Sequence, residues 1–165
     1  MPVENKPVPM KNKSEPVAIA WDYPDPFLVD IVVKPDYIDD FQHTNNVVYL
    51  TWMAKVAWEH SKVLGFDFNA YEKIGKGMVV RAHEMEYLAP SHEGETITVA
   101  TWITGNDAKL RLRRRFQMVN VATSKTLLRG RTDFVCIDIK SGRPTRMPET
   151  FIKAYALTAD EPKDG

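Results

Sequence analysis

The sequence predicts an α+β fold in which one curved antiparallel sheet wraps a single long helix. Three observations lead there. A segment from Tyr49 to Leu64 carries apolar residues at helical spacing. One run of β-branched and apolar residues precedes it and four follow it. The breaks between those four are short and rich in turn residues, which favours antiparallel hairpins over crossover helices.

The first strand is expected over Phe27–Lys34, where Pro35 ends it because proline lacks a ladder donor. A polar loop follows, and then the helix. Tyr49, Trp52, Met53, Val56, His60, Val63 and Leu64 fall on one side, and Thr51, Lys55, Glu59 and Lys62 on the other. Thr44 or Asn45 can cap its start, and Gly65 suits its stop. The later strands are expected at Gly77–Ala89, Glu95–Thr104, Lys109–Val121 and Thr126–Ile139. Turn chemistry separates them: Pro90-Ser91 with Glu93-Gly94, then Gly105-Asn106-Asp107, then Thr123-Ser124. Ser141–Pro144 closes the last strand, and Pro148 to Leu157 suits a short terminal helix. A sheet of this kind leaves open edges, and pairing an edge with a second copy predicts a homodimer.

Composition narrows the class. A chain of 165 residues with 44% hydrophobic side chains suits one domain with a proper core. Residues 1–17 mix Pro2, Pro7, Pro9 and Pro16 with polar residues and read as a disordered tail, leaving 18–165 as the domain. Twenty-two basic residues balance 22 acidic ones, which argues against nucleic-acid binding. No apolar run reaches the roughly 20 residues of a membrane span, and the N-terminus is polar, so no membrane role and a cytoplasmic location are expected. The single cysteine, Cys136, excludes an intrachain disulfide and a multi-cysteine metal site, and its apolar strand suits a buried, inert thiol. His83 and His92 are too scattered for a metal site, and no Gly-rich phosphate loop or G-x-S-x-G elbow is present.

Chemistry concentrates in Asp39-Asp40-Phe41-Gln42-His43-Thr44-Asn45-Asn46, which leads straight into the helix. The first amides of a helix have no intrahelical acceptor and carry the positive end of its dipole. An oxyanion formed in acyl transfer is stabilised at such a place, and a nearby carboxylate can activate water or attack the carbonyl itself. The bland alternative is ordinary capping chemistry.

The string D-D-F-Q-H-T-N-N-V-V-Y-L-T-W closely resembles the D-x-x-G-H-x-N-N-x-x-Y-x-x-W signature of the 4-hydroxybenzoyl-CoA thioesterase-like family. Trp58-Glu59-His60, Leu64-Gly65, Met85 to Pro90, Gly130-Arg131-Thr132, Cys136-Ile137-Asp138 and Gly142-Arg143-Pro144 extend the resemblance over Phe27 to Tyr155. It implies a hot-dog fold and an acyl-CoA thioesterase that yields a carboxylic acid and free CoA. It further implies a homodimer or homotetramer, no metal and no cofactor beyond the CoA of the substrate. Asp39 matches the catalytic aspartate, as general base or as nucleophile. Asn46 falls where the family uses a backbone N–H to polarise the thioester carbonyl, and His43 matches the motif histidine. Two departures stand out. Gln42 replaces the glycine before the histidine, and Ala54 and Lys55 stand where relatives often carry acidic residues.

Other residues carry two readings each. His43 assists the reaction or holds the loop. Tyr49 and Trp52 line an acyl pocket or pack the core. Asp40 reads as solvated, and Glu59 as a surface ion-pair residue between Lys55 and Lys62. Arg111, Arg113 and Arg115 share one strand face. They contact the CoA phosphates, or pair across strands with acids such as Glu84, Glu86 or Asp133. Two further functions remain beside hydrolysis: a non-catalytic module binding acyl-CoA or acyl-carrier protein, and a hot-dog dehydratase or hydratase.

Overall fold

The computed structural model describes residues 18–162, so the tail assigned to 1–17 lies outside it. Alternation along the first strand, β1 (Phe27–Val32), turns Phe27, Val29 and Ile31 inward and leaves Leu28 and Val32 exposed. The helix α1 (Asn46–Val63) follows, then a short helix α2 (Phe68–Ile74). The strands β2 (Lys76–Tyr87), β3 (Thr96–Asn106), β4 (Arg111–Asn120) and β5 (Thr126–Asp138) come next, and α3 (Glu149–Ala154) is the last element among the described residues.

All five strands pair antiparallel, in the order β1-β3-β4-β5-β2. The sheet curves round α1, the hot-dog arrangement. Tyr49, Trp52, Met53, Val56 and Ala57 of α1 pack on Ile97, Val99, Phe116, Met118 and Leu128 of the sheet. Contact is close at Gly130, where a Cβ would stand 2.9 Å from the end of the Met53 side chain. A second core forms under α2 and α3, with Phe66, Tyr71, Phe151 and Tyr155 in mutual ring contact.

Three details differ from the sequence reading, and a fourth decides between its two helix caps. The gap between Gly65 and Gly77 holds α2, capped by Asp67 Oδ1 on the Ala70 amide at 2.8 Å. It was illegible because Tyr71 is its one buried residue, which sets no period. The link between β2 and β3 is no hairpin, because β2 pairs with β5 and β3 with β1. Residues 88–95 carry the chain between non-adjacent strands, past the start of α1. Val63 is 71% exposed despite its spacing, because it is the last helical residue and extends beyond the core. Asn45, not Thr44, caps α1, its side chain accepting from the Val47 amide at 3.0 Å.

Candidate active site

The loop before α1 is a tight turn closed at its neck. The Asp39 amide donates to the His43 carbonyl at 2.9 Å, and the Gln42 amide donates back to the Asp39 carbonyl at 3.0 Å. Asp39 Oδ1 accepts the Phe41 amide at 2.9 Å. This leaves residue 42 left-handed, with φ of 64°. Such a turn followed by a left-handed residue is where hairpin loops place glycine. The motif glycine thus has a backbone reason, and Gln42 keeps the same left-handed sign at a steric cost of about 1–2 kcal/mol.

The end of this loop is pinned to the β2–β3 link. Thr44 Oγ1 lies 2.6 Å from Ser91 Oγ, and the Thr44 amide donates to the Ser91 carbonyl at 2.9 Å. Tyr49, one turn into α1, brings its hydroxyl to 2.8 Å from Ser91 Oγ and accepts the Ser91 amide at 3.1 Å. Ser91 is fully buried, so this knot fixes the Asp39 turn to the helix start.

At the helix start the Val47 amide is taken by the cap and the Val48 amide by the Asn45 carbonyl. Neither bond uses the Asn46 N–H, which points out from the helix end with no intrahelical acceptor. The Asn46 carbonyl accepts the Tyr87 hydroxyl at 2.8 Å, so the end of β2 steadies this peptide. Asp39 is half-buried and Asp40 exposed. His43 is exposed, its ring edge-to-face with His92 at 5.2 Å.

An apolar cavity of about 290 Å³ opens along α1 from one turn beyond Asn46. Leu50, Met53, Ala54, Ala57 and Ser61 line its helix side, with Met78, Val79 and Val80 of β2 opposite. It continues the stripe that begins at Asn46, since residues three or four apart share a helix face. Tyr49 and Trp52 sit in the core cluster rather than in this lining. Trp52 Nε1 is buried with no hydrogen-bond partner among the described residues.

The arginines of β4 divide by face. Arg113 Nε binds Asp133 Oδ1 at 2.7 Å, Arg115 Nε binds Glu161 Oε1 at 2.8 Å, and Arg113 reaches the same glutamate at 3.5 Å. Arg111 has no part in these ion pairs. With Arg81 and Arg113 it lines a surface recess of about 200 Å³. Arg114 turns the other way, into the α1 cavity. The sequence marks Ser91 only as a turn residue and Tyr87 only as part of a strand resembling the family, and it gives Arg114 no role of its own. The small residues Ala54 and Ala57, beside the apolar stripe, were the one sign of the cavity in the sequence.

Among the described residues no group of three His, Cys, Asp or Glu is placed to hold a metal ion, and no helix is long and apolar enough to cross a membrane.

Comparison with known proteins gives three results. The family model of the thioesterase-like superfamily matches residues 33–155. No curated protein matches the chain. Among solved structures, a 1,4-dihydroxy-2-naphthoyl-CoA thioesterase from Synechocystis is 17% identical with a TM-score of 0.71, over 79% of this chain and 96% of that one. A Staphylococcus aureus protein solved in complex with CoA is 18% identical with a TM-score of 0.73, over 79% of this chain and 81% of that one. A probable thioesterase from Escherichia coli is 19% identical with a TM-score of 0.68, over 77% of this chain and 94% of that one.

Proposed function

This chain belongs to the thioesterase-like superfamily of thioester hydrolases, and on that premise we propose that it hydrolyses acyl-CoA with Asp39 as the residue on which turnover depends. The observation that carries the reading is the pinned turn. It ties the Asp39 turn, through Thr44, Ser91 and Tyr49, to the start of α1, whose first amides lack intrahelical acceptors, and an apolar cavity begins one turn further along. The acyl chain lies in that cavity, and the thioester carbonyl accepts the Asn46 N–H. Asp39 takes a proton from water as the water oxygen bonds to the carbonyl carbon. The C–S bond then breaks, and the CoA thiolate leaves and is protonated. In the nucleophilic variant Asp39 forms an anhydride that water opens. His43 assists at the rim. Arg111, which has no part in the ion pairs of its strand, meets the CoA phosphates together with Arg81.

CoA as the thiol carrier draws support from the CoA complex and the CoA thioesterase among the similar structures. The proposal includes a homodimer. β2 is an edge strand, and Val79, Val80 and Trp58 around its side of the cavity are exposed. Pairing β2 with a second β2 would cover them and complete the cavity wall.

The test is Asp39→Asn, assayed by thiol release across a panel of acyl-CoAs. An asparagine Oδ1 still accepts the Phe41 amide, so circular dichroism and melting temperature should match wild type. Turnover should fall by about a hundredfold or more, the usual size of a lost general base. Near-normal hydrolysis by the folded variant would overturn the assignment. Ligand binding without thiol release in wild type would favour a non-catalytic module.

A further inference from the structure

The inner end of the α1 cavity holds a positive charge with no negative partner. Arg114 is 1% exposed and lines the cavity between Leu112 and Phe116. Its Nη1 donates to His60 Nδ1 at 2.6 Å and its Nη2 to Ser61 Oγ at 3.0 Å. The guanidinium carbon lies 5.8 Å from the centre of the Tyr155 ring. The Tyr155 hydroxyl donates to Ser61 Oγ at 3.1 Å and also bonds the Tyr71 hydroxyl. These neighbours are neutral. Burial, then the charge of Arg114, holds His60 down at about 4, and burial with Tyr155 beside it pushes the Tyr71 hydroxyl far up. No ion pair among the described residues includes Arg114, whereas Arg113 and Arg115 on the opposite face are both paired.

A buried cation bonded to neutral groups alone retains much of its desolvation cost. The two bonds use one hydrogen on each of two nitrogens, out of five N–H donors in a guanidinium. The rest of the cavity is lined chiefly by aliphatic and aromatic side chains, which suit methylene groups. We propose that the cavity takes an acyl chain whose far end is a carboxylate, and that Arg114 is the specificity residue that receives it. The proposal rests on the acyl-CoA reading above and names its substrate class: CoA monothioesters of α,ω-dicarboxylic acids.

Helix geometry sets the length. Asn46 and Ser61 are fifteen residues apart, so the carbonyl end and the guanidinium end are separated by about 20 Å at 1.5 Å per residue, with side chains leaning back. A zigzag of 1.52 Å C–C bonds advances about 1.3 Å per carbon, which suits chains of roughly 12 to 16 carbons.

The experiment pairs substrates of equal length. Thiol release is measured for dicarboxylic mono-CoA thioesters and for unsubstituted acyl-CoAs from 8 to 16 carbons, with wild type and Arg114→Met. Wild type should favour the dicarboxylic thioester in kcat/KM by about tenfold or more at the longer lengths, the size of one hydrogen bond to a charged group. Arg114→Met should reverse that preference through KM. Equal rates for the two series in wild type at every length overturn the proposal, the charge then being met by an acid of another subunit. That comparison needs no variant, so misfolding of Arg114→Met leaves it decisive. A calorimetric titration with dodecanoic acid and dodecanol separates this inference from the hydrolysis reading. Tighter binding of the acid that Arg114→Met abolishes, with no acyl-CoA cleaved, keeps the carboxylate site and removes the hydrolase. Equal binding of acid and alcohol, with cleavage intact, removes the site alone.

Discussion

His60 couples the buried end of the cavity to pH. Its ring stacks on Phe27 at 4.7 Å, its Nδ1 accepts from Arg114, and the residue is 7% exposed. Burial first, and the neighbouring guanidinium second, lower its pKa from 6.5 to about 4. In the unfolded chain the same imidazole takes up a proton near pH 6.5. Between about pH 6.5 and pH 4 the unfolded state therefore holds a proton that the native state refuses, and stability falls as pH falls through that window. Above it both states are neutral and the contribution is flat. At 1.36 kcal/mol per unit the whole window is worth about 3 kcal/mol. The perturbation is His60→Gln, whose side-chain carbonyl can still accept from Arg114 Nη1. Urea unfolding at pH 7 and pH 4.5 gives the assay. Wild type should lose about 2–3 kcal/mol more than the variant between those two conditions. Taking the difference of differences removes the carboxylates that titrate in both proteins. Equal acid sensitivity of the two proteins refutes the reasoning, as does an NMR titration that places His60 near 6.5.

The left-handed turn residue gives a second test: Gln42→Gly should relieve strain that exceeds the added unfolded-state freedom, raise stability by up to about 1 kcal/mol and leave turnover in place. A clear loss of stability in denaturant titration would show that the glutamine side chain supplies more than its backbone costs. Ser91→Ala removes the shared partner of Thr44 and Tyr49 and should cost about 1–3 kcal/mol, with kcat falling as the Asp39 turn loosens. Unchanged melting temperature and kcat would remove the knot from the account. Arg115, joined by Thr104 and Arg113, holds the Glu161 carboxyl down at about 2. A depressed carboxylate stabilises above about pH 4.5 and loses that effect as pH falls toward 2. Discounted for its partial exposure, Glu161→Gln should cost about 1–2 kcal/mol at pH 7, with the gap to wild type narrowing below about pH 4.5. A constant gap across that range in thermal melts would contradict the ion-pair origin.

Much of the fold was legible because its signals are local. The α1 face from Tyr49 to His60 repeats at helical spacing, Asn45 caps it, and Gly65 ends it with φ of 102°. The strands stand out as runs of β-branched and apolar residues, and turn residues mark their ends. The missed α2 and the exposed Val63 have local causes, whereas the misread β2–β3 link and the hidden site partners arise because two distant segments had to meet. The turn residues at Pro90-Ser91 and Glu93-Gly94 look like a hairpin, yet the link serves a crossover because β2 finds its partner in β5. The same holds at the site. The proposed pair Asp39 and Asn46 lies seven residues apart and is suggested by order alone, whereas Ser91 and Tyr87 reach the helix start from more than forty residues away. Arg114 was hidden inside a basic run whose neighbours face solvent.

That run, Arg113-Arg114-Arg115, shows how a pleated strand splits one feature of the sequence into two physical ones. Alternation sends the outer pair to Asp133 and Glu161, where opposite charge and water are both at hand. The middle arginine goes inside, to the last turn of α1, where His60 and Ser61 receive it. The negative end of the helix dipole lies there and offsets part of the burial cost, by up to about 2 kcal/mol in partly buried settings. Half a charge does not neutralise a whole one, so a site for an anion remains. The opposite end of α1 presents the positive end of the same dipole at the Asn46 N–H. On the reading proposed above, a chain bound along this helix meets a donor at each end, one for a developing oxyanion and one for a standing carboxylate, with an apolar stretch between them.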